Sequence, residues 1–141
     1  MALYAFDTNI LAYAAKIGES ASDEGKVAIA EAAFAKALAE RCLVLPIQVC
    51  LELHRLLVRK RRLSPEQAGQ VLRFYIAGAL LVASDTDTLT TALDLAARHR
   101  LQTYDAIILA AAASVGCDAL YSEDMQHGFS WEGVTVINPF T

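Results

Sequence analysis

The stretch Thr103-Tyr104-Asp105-Ala106-Ile107-Ile108-Leu109-Ala110-Ala111-Ala112-Ala113-Ser114-Val115-Gly116-Cys117-Asp118-Ala119-Leu120-Tyr121-Ser122-Glu123-Asp124 decides the fold. Thr103 is placed to cap a helix running from Tyr104 to Val115, which Gly116 stops. Past Asp105 that helix is apolar on all sides, so it is buried. Ala119-Leu120-Tyr121 follows almost at once and reads as a short strand ending in a polar, acidic turn. A buried helix feeding a short apolar strand is the repeating step of an α/β domain.

The same step recurs outward from this stretch. Leu3 to Phe6 is an apolar run ending at Asp7 and reads as a first strand. Asn9 to Ala15 makes one or two helical turns, and Gly18 to Gly25 is a polar loop. An alanine-rich helix spans Gly25 to Glu40, and Leu43 to Leu45 before Pro46 is a second strand. Ile47 to Lys60 carries Val49, Leu53, Leu56 and Leu57 on one face and is a strong helix. Ser64-Pro65-Glu66-Gln67 starts the next helix, with Ser64 as N-cap, Pro65 in the first turn and Gln67 closing a capping box; it stops near Gly78. Leu80 to Ala83 is a third strand. Thr86 or Ser84 caps a helix with Leu89, Leu93, Ala96 and Ala97 on one face, and Val134 to Ile137 is a last strand. The chain therefore reads as one α/β domain over residues 1–141, three-layered, with a short, mainly parallel sheet of about five strands flanked by helices.

Composition narrows the function classes. The 141 residues are 55% hydrophobic and 20% charged, with only 7 Gly and 3 Pro, which excludes a disordered or collagen-like chain. The hydrophobic share is raised by 26 alanines, and no run of about 18 strongly apolar residues exists to cross a membrane. The start, Met1-Ala2-Leu3-Tyr4, lacks the basic region of a secretory signal. Cys42, Cys50 and Cys117 are odd in number and form no Cys-x-x-Cys pair, as expected of buried thiols in a cytoplasmic protein. A net charge of −4 excludes coating nucleic acid by bulk charge but leaves room for a local basic patch.

Parallel α/β sheets bind ligands beyond the carboxyl ends of their strands, and the acids gather there. Asp7 directly follows the first strand, Asp124 lies three residues after the fourth, Glu52 is in the helix after the second, and Asp105 opens the buried helix. Each has a plain structural role available singly. Asp7 can cap a short helix, Asp105 can complement a helix N-terminus, Glu52 can pair with Arg55, and Asp124 can serve a turn. Glu52 stands among Val49, Leu51, Leu53 and Leu56, where a carboxylate is costly to bury without partners. Four acids converging on one end of a sheet repel one another and call for a hard cation; oxygen-only ligands suit Mg²⁺ or Mn²⁺ and disfavour Zn²⁺.

These blocks resemble a known family. Asp7-Thr8-Asn9 at the first strand's end, the helical Glu52, Tyr104-Asp105-Ala106 opening an apolar helix and Ser122-Glu123-Asp124 after the next strand are similar to the PIN-domain nucleases. Size and element order resemble the bacterial branch, the toxins of VapBC toxin–antitoxin pairs. The resemblance implies a Mg²⁺- or Mn²⁺-dependent ribonuclease whose metal-binding and catalytic acids are Asp7, Glu52, Asp105 and Asp124, with Glu123 adjacent and able to take part. It implies supporting places for Thr8, Asn9 and Ser122, with Asn9 orienting Asp7. It also implies an RNA substrate, an antitoxin partner and a homodimer. The alternative is a PIN-like module that binds RNA or protein without cutting.

Other features are weaker. Arg59-Lys60-Arg61-Arg62 is the one dense basic run and, with Arg98 and Arg100, offers RNA-backbone contacts; as a plain helix end it is equally explained. His54, His99 and His127 lack partners at metal-binding spacing and suit packing or surface roles. Phosphatases resembling the haloacid dehalogenases need Asp-x-Asp after the first strand, where this chain has Asn9. Receiver-type domains need a late lysine, and none follows Lys60.

Overall fold

The computed structural model describes residues 2–17 and 20–141. Elements run β1 (Tyr4–Phe6), α1 (Thr8–Ala14), a 3₁₀ turn (Ala21–Asp23), α2 (Glu24–Ala39), β2 (Leu43–Pro46), α3 (Ile47–Arg59), α4 (Pro65–Ile76), β3 (Leu80–Val82), α5 (Thr86–His99), α6 (Thr103–Ser114), β4 (Ala119–Tyr121), β5 (Ser130–Trp131) and β6 (Val134–Ile137). They form an α/β fold with a mostly parallel central sheet of order β3-β2-β1-β4-β6-β5, in which only β5 is antiparallel.

The strand order positions the site. From β1 the chain steps through β2 to β3 on one side and later returns to place β4 on β1's other flank. Tyr4, Ala5 and Phe6 pair in register with Ala119, Leu120 and Tyr121. Between β1 and β4 the strand order reverses, and just past their carboxyl ends a crevice opens.

The core is built on that sheet. Phe6, Leu43, Leu45 and Leu120 are fully buried, each worth roughly 1.5–3 kcal/mol of transfer free energy. Helix α6 has Ala106 to Ala112 buried without a break, as its all-round apolar sequence requires. Helix α3 buries only Val49, Cys50, Leu53 and Leu57, and Leu51, Glu52 and Arg55 face away from the core. All three cysteines are buried and free. Among the described residues no helix is long and apolar enough to cross a membrane.

Several local expectations are corrected. The cap of α5 is Asp85, whose carboxylate accepts from Thr88 N at 2.9 Å, rather than Thr86 or Ser84. Thr103 is the first residue of α6, not its cap; Gln102 holds the cap position without a side-chain bond. The expected loop from Gly18 to Gly25 is shorter. Ser20 N and Oγ both donate to Asp23 Oδ2 at 3.2 Å, closing the 3₁₀ turn, and α2 starts at Glu24; Gly18 and Glu19 lie outside the described residues. Among the described residues the sheet has six strands, where about five were expected. The extra one, β5, joins β6 through Glu132 and Gly133, both at positive φ (49° and 83°), the two-residue turn that matches strand twist.

Candidate functional site

Asp7 stands at the centre. It is the N-cap of α1 and is 5% exposed. Its Oδ1 accepts from Thr8 N at 2.7 Å and its Oδ2 from Ser122 Oγ at 2.8 Å. The local backbone makes this placement: Asp7 N donates to Tyr121 O and Ser122 N to Ile137 O, so both side chains leave adjacent strand ends. Burial pushes the Asp7 carboxyl up to about 6; the bonds from Ser122 and Thr8 oppose that rise, and the Asp105 and Asp124 charges add to it.

Three more acids face the same space. Asp7, Glu52, Asp105 and Asp124 all line one open cavity of about 880 Å³, with Thr8, Asn9, Gln48 and Tyr13. They arrive from four places: the end of β1, the solvent side of α3, the first turn of α6 and the loop after β4. Asp105 is half-buried, and its carboxyl is raised by burial, then by Asp124 and Glu52. Glu52 is exposed, so the burial cost expected from its apolar neighbours does not arise: Val49 and Leu53 are buried on the core side of α3, while Leu51 and Leu56 line the cavity with Glu52. Its polar contact is Thr8 Oγ1, which donates to Oε2 at 3.3 Å, in place of the expected pairing with Arg55.

The supporting residues divide. Thr8 and Ser122 touch the acids directly. Asn9 does not orient Asp7: its Oδ1 accepts from Glu123 N at 3.3 Å and ties α1 to the loop after β4. Glu123 turns away from the cavity to an ion pair with Lys26, whose ammonium also lies 5.5 Å from the Tyr13 ring centre and 5.4 Å from that of Phe140. That pairing separates Glu123 from Asp124, which lines the cavity.

The basic run is dispersed. Lys60 lines the cavity; Arg61 donates to Ala15 O at 3.1 Å; Arg62 adopts a left-handed turn with φ 58°. Arg98 pairs with Asp94 beside a separate shallow cleft, and Arg100 is the left-handed cap of α5. Arg55, read in sequence only as a partner for Glu52, lines the acid cavity instead. The histidines serve packing: His54 meets Pro65 O, His99 lies on Phe129, and His127 Nδ1 accepts from Asn138 N.

The donor set decides what the cavity suits. It offers carboxylates and hydroxyls and neither His nor Cys, which fits a hard divalent cation and not a soft one. Asn9 Nδ2 and Gln48 Oε1, on two residues of the lining, are buried without a hydrogen-bond partner among the described residues, and buried polar groups of that kind call for a polar ligand or solvent. As the side chains stand, no three acids, histidines or cysteines among the described residues are close enough to chelate an ion. Mutual repulsion of uncompensated carboxylates favours that spread.

A family model described as the PIN domain matches residues 4–128. No curated protein matches the chain. A toxin–antitoxin complex from Klebsiella pneumoniae superposes with a TM-score of 0.68 at 20% identity, covering 96% of this chain and 97% of that one. VapC20 of Mycobacterium tuberculosis, described as a sarcin–ricin loop cleaving toxin, gives 0.64 at 18% identity over 86% and 89%. DNA-bound VapBC from Salmonella typhimurium gives 0.64 at 17% over 96% and 97%. At these identities the likeness to solved structures is one of fold.

Proposed function

The chain belongs to the PIN-domain family, and on that premise we propose that it is a divalent-metal-dependent endoribonuclease and the toxin of a toxin–antitoxin pair. One observation carries the reading: Asp7, Glu52, Asp105 and Asp124 converge from four elements on one cavity at the switch point of the sheet. The toxin–antitoxin complexes among the structural neighbours support the toxin role, and the RNA-cleaving toxin among them supports RNA as substrate.

The four acids are the proposed holders of Mg²⁺ or Mn²⁺. When bound, such an ion supplies screening of phosphate charge and a lowered pKa for water. The chain's own residues do the rest. Ser122 and the Thr8 amide fix both oxygens of Asp7 in place. Burial makes an isolated charge on Asp7 costly, so Asp7 ionises most readily with a cation beside it. Thr8 holds one oxygen of Glu52, and the other has no hydrogen-bond partner among the described residues. Glu52 and Asp124, both exposed, are the carboxylates placed to take a proton from an attacking water, giving a 5′-phosphate and a 3′-hydroxyl.

The reading extends to an antitoxin partner and a homodimer, which co-purification with a co-expressed partner and light scattering would examine, and to a cytoplasmic location, which cell fractionation would examine. The deciding experiment incubates the protein and its Asp7→Asn variant with total RNA in Mg²⁺, Mn²⁺ or chelator and maps the ends. Discrete metal-dependent cuts bearing 5′-phosphates, absent from the variant, are expected. Cleavage that persists in chelator overturns the metal site, and a folded protein that binds RNA without cutting it favours the non-catalytic module.

A further inference from the structure

The acid cavity carries a feature that metal chemistry does not use. Among the described residues the three most exposed large hydrophobic side chains are Tyr104 (71%), Phe74 (69%) and Leu51 (66%). Two of the three, Tyr104 and Leu51, line this one cavity. Single exposed apolar residues are ordinary; two of the three most exposed, from two different helices, beside a cluster of carboxylates are not accounted for by packing. Tyr104 immediately precedes Asp105 in the first turn of α6, and Leu51 immediately precedes Glu52 on α3. Each exposed apolar side chain is therefore one residue from an acid.

The polar surroundings select the occupant. Arg55 and Lys60 line the same cavity, are exposed, and make no ion pair among the described residues. Arg55 lies one helical turn beyond Leu51, and Lys60 is eight positions beyond Glu52, roughly 12 Å along the axis. An aromatic face, an aliphatic face and two unpaired cations around an acidic centre match a flat base joined to a chain of phosphates. A protein segment would need carboxylates of its own, set at the right spacing beside its apolar side chains, to answer both cations, whereas a nucleic-acid strand carries that charge at every phosphate.

We propose that Tyr104, with Leu51, forms a stacking platform for an unpaired nucleobase next to the scissile phosphate, while Arg55 and Lys60 hold the flanking backbone. The inference rests on the ribonuclease reading and adds to it the residues that position the strand. Stacking is tolerant of base identity because every base has a π-face, so the platform fixes the strand and leaves sequence choice to other contacts.

The test uses single-stranded oligoribonucleotides carrying the fluorescent base 2-aminopurine at successive positions, with the full chain as Asp7→Asn in Mg²⁺ so that the probe stays uncut. Fluorescence quenching at one position is expected, together with binding that weakens roughly 5- to 100-fold in Tyr104→Ala and is kept in Tyr104→Phe. In the otherwise native enzyme, Tyr104→Ala raises KM with little change in kcat. Tyr104 is exposed, so circular dichroism and Tm should match the parent and exclude misfolding. Unchanged affinity and quenching in Tyr104→Ala overturns the platform while the nuclease stands. Binding to double-stranded RNA as tight as to single strands overturns it equally. RNA neither bound nor cut by the native chain overturns the platform and the ribonuclease reading together.

Discussion

Ser122 Oγ donates to Asp7 Oδ2 at 2.8 Å across 115 positions of sequence. The bond joins the ends of two neighbouring parallel strands, so the sheet register itself presents the carboxylate. Ser122 is wholly buried and also accepts from Met125 N at 3.4 Å, which shapes the loop leading to Asp124. Ser122→Ala removes the only side-chain donor to the buried Asp7 carboxylate among the described residues. The expected cost is roughly 1–3 kcal/mol of stability, and cleavage falls roughly 10- to 100-fold, as for other groups that orient metal ligands. Denaturant unfolding and initial rates measure the two. A fall in stability with full activity would mean that the bond serves folding alone.

The pH dependence of stability has a sign set by burial. Asp7 ionises at about 6 in the folded chain against an ordinary 3.8. Below pH 3.8 both states hold the proton and the contribution is complete. Between 3.8 and about 6 the folded state binds more protons, so stability declines as pH rises, and the contribution is gone above the folded value. Burial and neighbouring acids raise Asp105 too, in the same direction. With chelator present, Asp7 accounts for up to about 3 kcal/mol across that window. Asp7→Asn should flatten the profile, match or exceed the native chain in stability at pH 7.5, and cut no RNA. Unfolding of that variant at neutral pH would show that the charge is needed for the fold.

Glu123 and Asp124 are neighbours with different duties. The Lys26 pair holds Glu123 against Tyr13, whose hydroxyl is pushed up by burial and then by Glu123. Glu123→Gln should lower Tm slightly and leave cleavage within a few-fold. Asp124→Asn should leave Tm unchanged or higher and reduce cleavage by roughly 10-fold or more. Reversed phenotypes would make Glu123 the fourth acid.

What was readable in the chain followed from local physics. The capping box at Ser64 appears as reciprocal bonds with Gln67 at 2.9 and 3.1 Å, because both partners lie within one turn. The strands Ala119–Tyr121 and Val134–Ile137 stand at their expected bounds because short apolar runs flanked by polar turns leave little choice. Strand β5 has no periodic signal, because it is only two residues, an exposed Ser130 and a half-buried Trp131; its trace in the sequence is the Glu132-Gly133 turn. The four acids could be gathered on one cavity from sequence because each follows a strand or opens onto the end where strands finish. Their neighbours could not. Lys26 meets Glu123 from 97 positions away, and Arg61 meets Ala15 O from 46. Only the folded chain decides which cations are consumed by such pairings and which stay free.

That division of the cations yields the last prediction. Sequence offered Arg59 to Arg62 with Arg98 and Arg100 as one pool of RNA contacts, but the fold gives them separate surroundings. Lys60 and Arg55 open onto the acid cavity, Arg61 braces the end of α1, and Arg98 is paired with Asp94 on another face. Each phosphate neutralised on a single strand adds about 0.7 to the slope of log affinity against log salt. Lys60→Ala and Arg55→Ala should each weaken single-stranded RNA binding and reduce that slope by about this amount. Arg98→Ala should change neither, since its charge is already answered, and Arg61→Ala should lower Tm without altering the slope. Fluorescence titrations at several salt concentrations measure all four. A slope that drops in Arg98→Ala and holds in Lys60→Ala would move the RNA path off the acid cavity, to the face that carries α5.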